Sequence, residues 1–350
     1  MSAVHQFVPK LEPGAVGYHT LEVQRVLRGA GYDSEIYALD FAPAWSDRGS
    51  PCSEFRPRDE NDVLLYQYAI GSSLVDFLMN APGRLVVNSH TQTPPGLLSG
   101  WDLDGAAGVM LGMHQLAAMA QRAVAAFAVS EFNAAELRLL GYQNISVIPV
   151  FTPVREYAVS ELARHRAGSG AVWLFVGRVS PNKMQHKIVQ AFSWYRKVYD
   201  PGAQLVLAGG GMEGRYGRAL WRYISRLNLD SAVRCAGRIS DEELDELYRS
   251  SDVFVCLSEH EGFCVPLIEA MRSELPVVAR ALTAVPETIG DAGLLLDTSR
   301  PSIVAAAVHR VLEDDALRKN MVAAGTARAM TFDPGVCAAA FLDAIRGVVA

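Results

Sequence analysis

Short apolar runs alternate with amphipathic helical patterns along the first half of the chain. Runs rich in β-branched and aromatic residues predict strands at 4–8, 34–39, 63–68, 84–88, 123–129 and 145–150. Helical patterns lie between them at 17–29, 72–79, 109–122 and 131–140. Because short buried strands that alternate with helices form parallel sheets covered by helices, this half is predicted to be a doubly wound α/β domain.

The alternation stops after residue 150 and then restarts. The interruption begins with Thr152-Pro153 and ends with Ala167-Gly168-Ser169-Gly170, which is typical of an interdomain linker. Further strands are predicted at 171–176, 204–208, 232–236, 252–257, 276–279 and 293–296, with helical patterns between them and at 302–329 and 335–348. We therefore predict a first domain at 1–155, a linker at 156–170, a second Rossmann-like domain at 171–332 and a final helix at 333–350.

Composition places the chain among ordinary globular proteins. Half of its 350 residues are hydrophobic, which is enough for two cores. Its longest apolar runs are strand-sized, far short of the roughly 20 residues of a membrane-spanning helix. The amino terminus also lacks the basic start and long apolar stretch of a secretory signal. We expect no transmembrane segment and a cytoplasmic protein, with peripheral contact to the inner face of the membrane left open.

Charge is distributed unevenly between the two halves. Residues 1–160 contain 10 Lys and Arg against 16 Asp and Glu, whereas the remainder contains 22 of each. The acidic half has no basic cluster beyond Arg56-Pro57-Arg58, which argues against nucleic acid and against strong attraction to anionic lipid. Charge therefore favours a soluble partner over a lipid, and the oligomeric state stays open.

The stretch 258–271 carries the most specific chemistry. It follows the apolar run 252–257 and contains Pro266 at the start of an apolar helical face, so it is predicted to be a loop between a buried strand and a helix. The amides of such a loop and the helix dipole favour an anion such as a diphosphate. Two carboxylates, Glu261 and Glu269, bracket this spot and suit the hydroxyl groups of a sugar.

The order Glu-Gly-Phe-x-x-Pro-x-x-Glu-Ala-Met in this stretch resembles the signature of retaining GT-B glycosyltransferases of family 4, also called glycosyltransferases group 1. The resemblance implies two Rossmann-like domains that face each other across a cleft, with the last helix crossing back to the first domain. It assigns the donor sugar to Glu261 and the ribose hydroxyls to Glu269. It also implies that the backbone of Gly262, Phe263 and Cys264 binds the diphosphate.

A second motif opens the predicted second domain. The run Gly177-Arg178-Val179-Ser180-Pro181-Asn182-Lys183 connects a strand to a helix and resembles the Gly-Arg-x-x-Pro-x-Lys motif of the same family. By that resemblance Arg178 and Lys183 neutralise the leaving diphosphate. The physical basis is that breaking a glycosyl–phosphate bond builds negative charge, which preorganised cations stabilise.

The remaining candidates depend more heavily on the resemblance. His90 ends a buried strand at the position where the family has a histidine facing the donor sugar, so it is our catalytic candidate in the first domain. The resemblance also implies that Gly17 lets the backbone approach the donor phosphates. Arg238 and Ile239 lie where family members contact the base, and the loop 94–102 is suited to acceptor contacts.

No metal or redox cofactor is expected. The five cysteines are scattered without a CxxC pair, and no Asp-x-Asp pair or His/Asp cluster suggests a metal site. The glycine run 209–211 lacks the dinucleotide-binding fingerprint, which disfavours a dinucleotide-dependent oxidoreductase. A GT-B sugar-nucleotide epimerase and a non-catalytic sugar-nucleotide-binding protein remain alternatives.

The resemblance thus implies a retaining glycosyltransferase that transfers a sugar from a nucleoside diphosphate sugar to an acceptor hydroxyl or amine. UDP or GDP is the expected nucleotide. A sugar, a natural product or a lipid-linked molecule is the expected acceptor. The sugar, the base and the acceptor depend on loop shapes that a single sequence does not determine.

Overall fold

The computed structural model describes residues 3–58, 60–151 and 170–349. The predicted linker at 156–170 lies outside these residues except for Gly170. The described residues fall into two compact units. Unit 1 contains the described residues within Met1–Pro95, Asp104–Val154 and Phe332–Ala350. Unit 2 contains the described residues within Gly96–Leu103 and Arg155–Thr331.

Unit 1 is built on a seven-stranded sheet with the order β3-β2-β1-β4-β5-β6-β7. All of its neighbouring strands are parallel, as short apolar strands separated by helices predict. The strands are β1 (Val4–Leu11), β2 (Ile36–Phe41), β3 (Ser50–Pro51), β4 (Val63–Tyr68), β5 (Arg84–Ser89), β6 (Ala125–Ala128) and β7 (Ile145–Val147).

Helices of unit 1 cover both faces of this sheet and enclose separate apolar cores. Their bounds are α1 (Ala15–Gly29), α2 (Leu74–Asn80), α4 (Leu103–Met119), α5 (Glu131–Leu139) and α13 (Pro334–Val349), and a short helix, α3 (Pro95–Leu98), precedes α4. The last helix is far from the others in sequence but belongs to the same core, where Phe341 packs edge-on against Phe127 and Phe151.

Unit 2 contains a six-stranded parallel sheet with the order β10-β9-β8-β11-β12-β13. Its strands are β8 (Val172–Val176), β9 (Gln204–Ala208), β10 (Val233–Gly237), β11 (Val253–Cys256), β12 (Val277–Arg280) and β13 (Leu294–Leu296). Its helices are α6 (Gln185–Val198), α7 (Arg215–Arg226), α8 (Asp241–Ser250), α9 (Val265–Arg272), α10 (Val285–Ile289), α11 (Pro301–Glu313) and α12 (Asp315–Met330).

Local chemistry accounts for several helix boundaries. Ser240 and Glu243 form a reciprocal capping box at the start of α8. The Asp314 side chain accepts a hydrogen bond from the Leu317 N–H, so the helical pattern at 302–329 divides into α11 and α12 at that aspartate. The sequence pattern did not predict this division, the short strand β3 or the helices α3 and α10. Among the described residues, no helix combines the length and the apolar character needed to cross a bilayer.

Candidate active site

The unit 2 sheet changes direction at β8, and this positions the two motifs. From β8 the chain moves through α6 to β9 on one side, and β11 pairs with β8 on the other. Open α/β sheets bind ligands at such a switch point, beyond the carboxyl ends of the strands. The loop after β8 carries Arg178 and Lys183, and the loop after β11 carries Glu261. Neighbouring parallel strands therefore bring both motifs to one edge of the sheet.

An ion pair joins the two loops directly. Lys183 Nζ lies 2.7 Å from Glu261 Oε1 and 2.6 Å from Oε2, with the two side chains 23% and 7% exposed. Burial lowers the pKa of Lys183, but the attraction of Glu261 and their hydrogen bond outweigh it, and the net shift of this pKa is upward. The backbones also meet, because the Glu259 N–H donates to the Asn182 carbonyl at 2.8 Å. Lys183 and Glu261 therefore hold each other in position, with the ammonium group facing the carboxylate.

The Glu261 loop is held from its other side by the segment that leads into α10. The Glu261 N–H donates to Thr283 Oγ1 at 3.0 Å, and Thr288 Oγ1 donates to the Phe263 carbonyl at 2.6 Å. Phe263 is buried, as is the neighbouring Gly262. Cys264 has a left-handed φ of 70° and is the N-cap residue of α9. The three residues proposed for diphosphate contact thus lie at the start of an eight-residue helix.

Two buried thiols lie beside Glu261. The sulfurs of Cys256 and Cys264 and a Glu261 carboxylate oxygen all lie within 4.8 Å of one another. A hydrogen bond from the Cys264 thiol lowers the pKa of Cys256, and the same bond and burial raise the pKa of Cys264. These groups are potential ligands for a soft metal ion, but any ion would compete with the Lys183 ammonium for the carboxylate. The absence of a metal from the reaction stays a prediction.

Glu269 lies one turn into α9 and has a positioning partner that the sequence did not reveal. The hydroxyl of the fully buried Tyr248, on α8, donates to Glu269 Oε2 at 2.8 Å. The carboxylate itself is half-buried. Tyr248 therefore fixes the position of one oxygen of the Glu269 carboxylate.

The glycine run after β9 ties neighbouring loops together. The Gly209 N–H donates to the Gly237 carbonyl, and the Val179 N–H donates to the Gly210 carbonyl, both at 2.8 Å. A Cβ atom on Gly209 would lie 2.2 Å from the Gly177 carbonyl oxygen, so only glycine fits. Close packing between these loops is therefore sufficient to explain why glycine occurs at 209–211.

Two exposed arginines, Arg178 and Arg238, lie beside the glycines of this run. A Cβ atom on Gly210 would lie 2.9 Å from Arg238 Nε, and one on Gly211 would lie 3.4 Å from Arg178 Cγ. Both arginines are exposed, whereas Ile239, next to Arg238, is half-buried. Arg178 forms no ion pair within the described ranges. It is therefore free to meet an anionic ligand.

The loop predicted to contact an acceptor contributes an aromatic side chain to unit 2. Trp101, which is 40% exposed, meets the ring of Tyr216 edge-on with a centroid distance of 5.4 Å. Tyr216 lies on α7, and its hydroxyl is 3.0 Å from His186 Nδ1 at the start of α6. The expected acceptor role of this loop stays a prediction.

In unit 1, His90 belongs to a buried network of polar side chains. The Phe151 N–H donates to His19 Nδ1 at 3.0 Å, and Nε2 of the same ring is 3.0 Å from Asn88 Nδ2. Asn88 contacts Gln67 at 2.9 Å, and Gln67 Oε1 is 2.8 Å from His90 Nε2. The rings of His19 and His90 meet edge-on at 5.0 Å.

This network was missed by the sequence argument, although a signal for it exists. Gln6, Gln67 and Asn88 each interrupt an otherwise apolar strand pattern, and their strands, β1, β4 and β5, are adjacent. Gln67 donates to Gln6 at 2.7 Å.

Gly17 has a steric reason for being glycine, since a Cβ atom there would lie 2.0 Å from the Glu12 carbonyl oxygen. Its proposed contact with the donor stays a prediction.

Burial lowers the pKa of His90 to about 4 and lowers the pKa of His19 as well. In the unfolded chain both rings titrate near 6.5, so below that pH the unfolded state binds more protons than the folded state. Neutral His90 therefore contributes stability that is present above pH 6.5 and is lost as the pH falls toward 4. Between pH 7 and pH 5 the loss from His90 alone should be about 2 kcal/mol.

Urea unfolding of the wild type and of His90→Gln at these two pH values measures this loss. The glutamine keeps an amide near Gln67 but does not titrate, so the free energy of unfolding of the variant should fall by about 2 kcal/mol less than that of the wild type. Equal losses in the two proteins would show that His90 is not held neutral.

Comparison with known proteins identifies related sequences. The family described as Glycosyl transferases group 1 matches residues 163–328. O-antigen chain mannosyltransferase B of Escherichia coli is 31% identical over 173 residues, which are 49% of this chain and 45% of that protein. Phosphatidyl-myo-inositol mannosyltransferase of Mycobacterium tuberculosis is 26% identical over 93% of this chain and 91% of its own length. The match thus spans less than half of the first of these relatives and nearly all of the second.

Solved structures resemble the whole chain. Anabaena HepE, crystallised with UDP and glucose, aligns with a TM-score of 0.77 at 17% sequence identity and covers 99% of this chain and 100% of its own. At 17% sequence identity this similarity shows a shared fold only. Together with the two parallel sheets, it confirms the predicted fold class.

Proposed function

We propose that this chain, whose residues 163–328 match the Glycosyl transferases group 1 family, transfers a sugar from a nucleoside diphosphate sugar to an acceptor hydroxyl, with retention at the anomeric carbon. The observation that carries the proposal is the meeting of Lys183 and Glu261 at the switch point of the unit 2 sheet. It supports the proposal because the cation proposed to bind phosphate and the carboxylate proposed to bind the sugar come from two distant motifs to one place.

The proposed reaction uses the cations at the leaving group. As the bond between the anomeric carbon and the phosphate oxygen breaks, Arg178 and Lys183 stabilise the charge that develops on the diphosphate. The acceptor oxygen forms the new glycosidic bond on the same face, and its proton passes to the departing phosphate oxygen. Lys183 is positioned for this role by its partner Glu261, and Arg178 is exposed and forms no ion pair in the described part of the chain.

Other residues bind and orient the donor in this proposal. Glu261 positions the sugar, Glu269 holds the ribose hydroxyls, and the backbone at Gly262, Phe263 and Cys264 contacts the diphosphate. The placement of these groups on one loop and the first turns of α9 supports the assignment.

The remaining candidates keep the donor-binding roles that the resemblance implies. We propose Arg238 and Ile239 for contact with the base, and Gly17 and His90 stay candidates for contact with the donor, His90 as a neutral hydrogen-bonding group. The low pKa of the His90 ring supports this neutral state.

The named relatives suggest substrate classes. Two of them are mannosyltransferases by name, and one of these carries a phosphatidyl-inositol acceptor in its name. HepE binds UDP and glucose. We therefore propose UDP or GDP as the nucleotide of the donor and a sugar or a lipid-linked sugar as the acceptor.

Thermal unfolding with a panel of UDP, GDP, ADP, dTDP and NAD tests the donor class. A ligand at a hundredfold excess over its Kd should stabilise the protein by about 2.7 kcal/mol, which is a readily visible rise in Tm. Stabilisation by one nucleoside diphosphate, followed by release of that nucleotide from its sugar conjugate in the presence of an acceptor, would support the proposal. Stabilisation by NAD alone, or by none of the five, would contradict it.

A further inference from the structure

One face of unit 2 is strongly basic, although the second half of the chain as a whole is neutral. The helix α7 contains four arginines and no acidic residue, and its neighbour α6 contains three Lys and Arg and no acidic residue. Each helix also exposes a tryptophan, with Trp194 46% and Trp221 48% exposed. We call this surface the α6–α7 face. Its cations are Lys187, Arg196, Lys197, Arg215, Arg218, Arg222 and Arg226.

The arginines of α7 form a single row. Arg215, Arg218, Arg222 and Arg226 follow the three- and four-residue spacing of one helical face, and all four are exposed. The opposite face of the helix is buried through Tyr216, Leu220 and Ile224. The row is about 16 Å long, because an α-helix rises about 1.5 Å per residue.

These arginines are not neutralised by carboxylates. Within the described part of the chain no cation of α7 forms an ion pair, and Arg218 instead donates to the Glu213 carbonyl. The acidic residues next to the two helices in sequence lie beyond their ends: Asp200, Glu213 and Asp230. The surface therefore presents unscreened positive charge.

The next helix in sequence, α8, is acidic and lies on the other face of the same sheet. The helix α8 contains five Asp and Glu against one Arg. From β9 to β10 the chain moves toward one edge of the sheet, and from β10 to β11 it moves back toward the other. Because parallel crossovers are right-handed, α7 and α8 cover opposite faces. The helices α7 and α8 thus place opposite charges on the two faces of this sheet, an asymmetry that would help to orient unit 2 on a charged surface.

We propose that the α6–α7 face docks unit 2 on the surface of an anionic membrane. Arginine rows are attracted to anionic headgroups, and tryptophan side chains favour the headgroup layer of a bilayer. A bilayer is also flat and can meet both helices at once. Since the apolar side of α7 is already buried in the core, the helix cannot insert, and docking is electrostatic and reversible.

The docking surface starts close to the proposed donor site. Both helices begin directly after the loops that follow β8 and β9, at Gln185 and Arg215. An acceptor held at the membrane surface would therefore approach this edge of the sheet. The docking itself needs neither donor nor acceptor, so it can be measured independently of the proposed transfer reaction.

Co-sedimentation of the full chain with vesicles tests the proposal. In 0.1 M salt the protein should bind vesicles of phosphatidylcholine with 40% phosphatidylglycerol and should not bind phosphatidylcholine alone. Binding should be lost at 1 M salt, where the screening length falls from about 10 Å to about 3 Å. Arg215→Gln, Arg222→Gln and Arg226→Gln combined should weaken binding about 100-fold, at about fivefold per arginine. Arg218 is left unchanged because it holds the loop before α7.

A matched triple variant controls for net charge. Arg25→Gln, Arg138→Gln and Arg346→Gln remove three exposed helix arginines that form ion pairs in unit 1. This control should bind anionic vesicles within about threefold of the wild type. Equal loss in both triple variants, or equal binding to neutral vesicles, would overturn the proposal, provided that thermal melts show both variants to be folded.

A second experiment distinguishes a membrane from a soluble polyanion as the partner of the α6–α7 face. Trp221→Ser should weaken vesicle binding several-fold while leaving binding to single-stranded polyuridylate unchanged. Tighter binding of the wild type to polyuridylate than to anionic vesicles would overturn membrane docking in favour of a nucleic acid partner.

Discussion

Lys183→Met is expected to lower kcat about 10²- to 10³-fold. A preorganised charge that meets developing negative charge typically supplies an effect of this size, and Lys183 is held at 2.6–2.7 Å from both oxygens of Glu261. The variant should also lose about 3 kcal/mol of stability, because it leaves a buried carboxylate without its partner. Steady-state kinetics and urea unfolding measure the two effects separately.

A double variant distinguishes chemistry from packing. Lys183→Met with Glu261→Gln replaces the ion pair by neutral groups of similar size, so most of the lost stability should return while kcat stays low. Arg280→Met is the matched control, since Arg280 pairs with Glu259 on the same loop at 3.1 Å with side-chain exposures of 20% and 31%. It should reduce stability but change kcat less than tenfold. Recovery of kcat in the double variant would contradict the role given to Lys183.

Glu269→Ala is expected to weaken nucleoside diphosphate binding at least tenfold, because a hydrogen bond to a charged group is worth about 1.5–3 kcal/mol. If this carboxylate holds the ribose, the wild type should bind a ribonucleoside diphosphate more tightly than its 2′-deoxy analogue. The variant should bind the two about equally. Calorimetry with the matched pair of nucleotides measures this discrimination directly.

Tyr248→Phe is the control for position. It removes the hydroxyl that donates to Glu269 but keeps the ring in the core, so affinity should fall only a few-fold and the preference for the ribonucleotide should persist. If Glu269→Ala still discriminates between the two nucleotides, the ribose is held elsewhere.

Much of the fold could be predicted because it depends on local patterns. The alternation of apolar runs and helical faces predicts two parallel sheets, and the doubly wound strand order places β11 beside β8. That is enough to bring Lys183 and Glu261 to one edge. The pattern cannot reveal that they bind each other, since a hydrogen bond between residues 78 positions apart depends on tertiary packing.

Other features depend on single residues that break a local rule. The chain has Glu274 near the end of α9, where a small residue and glycine are common in the resembled family. This residue has a left-handed φ of 54°, which explains why glycine suits that position. Likewise, the net charge of each half of the chain did not reveal the α6–α7 face, because the acidic residues of α8 cancel the arginines of α7 in the total. Charge must be counted by helix and by face of the sheet to become informative.

The packing of α13 has a consequence for biosynthesis. Most of unit 1 leaves the ribosome before unit 2, but its core lacks Phe341 and Ile345 until α13 has been translated. Most of unit 2, by contrast, is one continuous stretch that is complete before them. The half that is synthesised first therefore matures last, and its nascent chain exposes an apolar surface around Phe127 and Phe151 in the meantime. Truncations within α13 should accordingly act on the yield of folded protein before they act on catalysis.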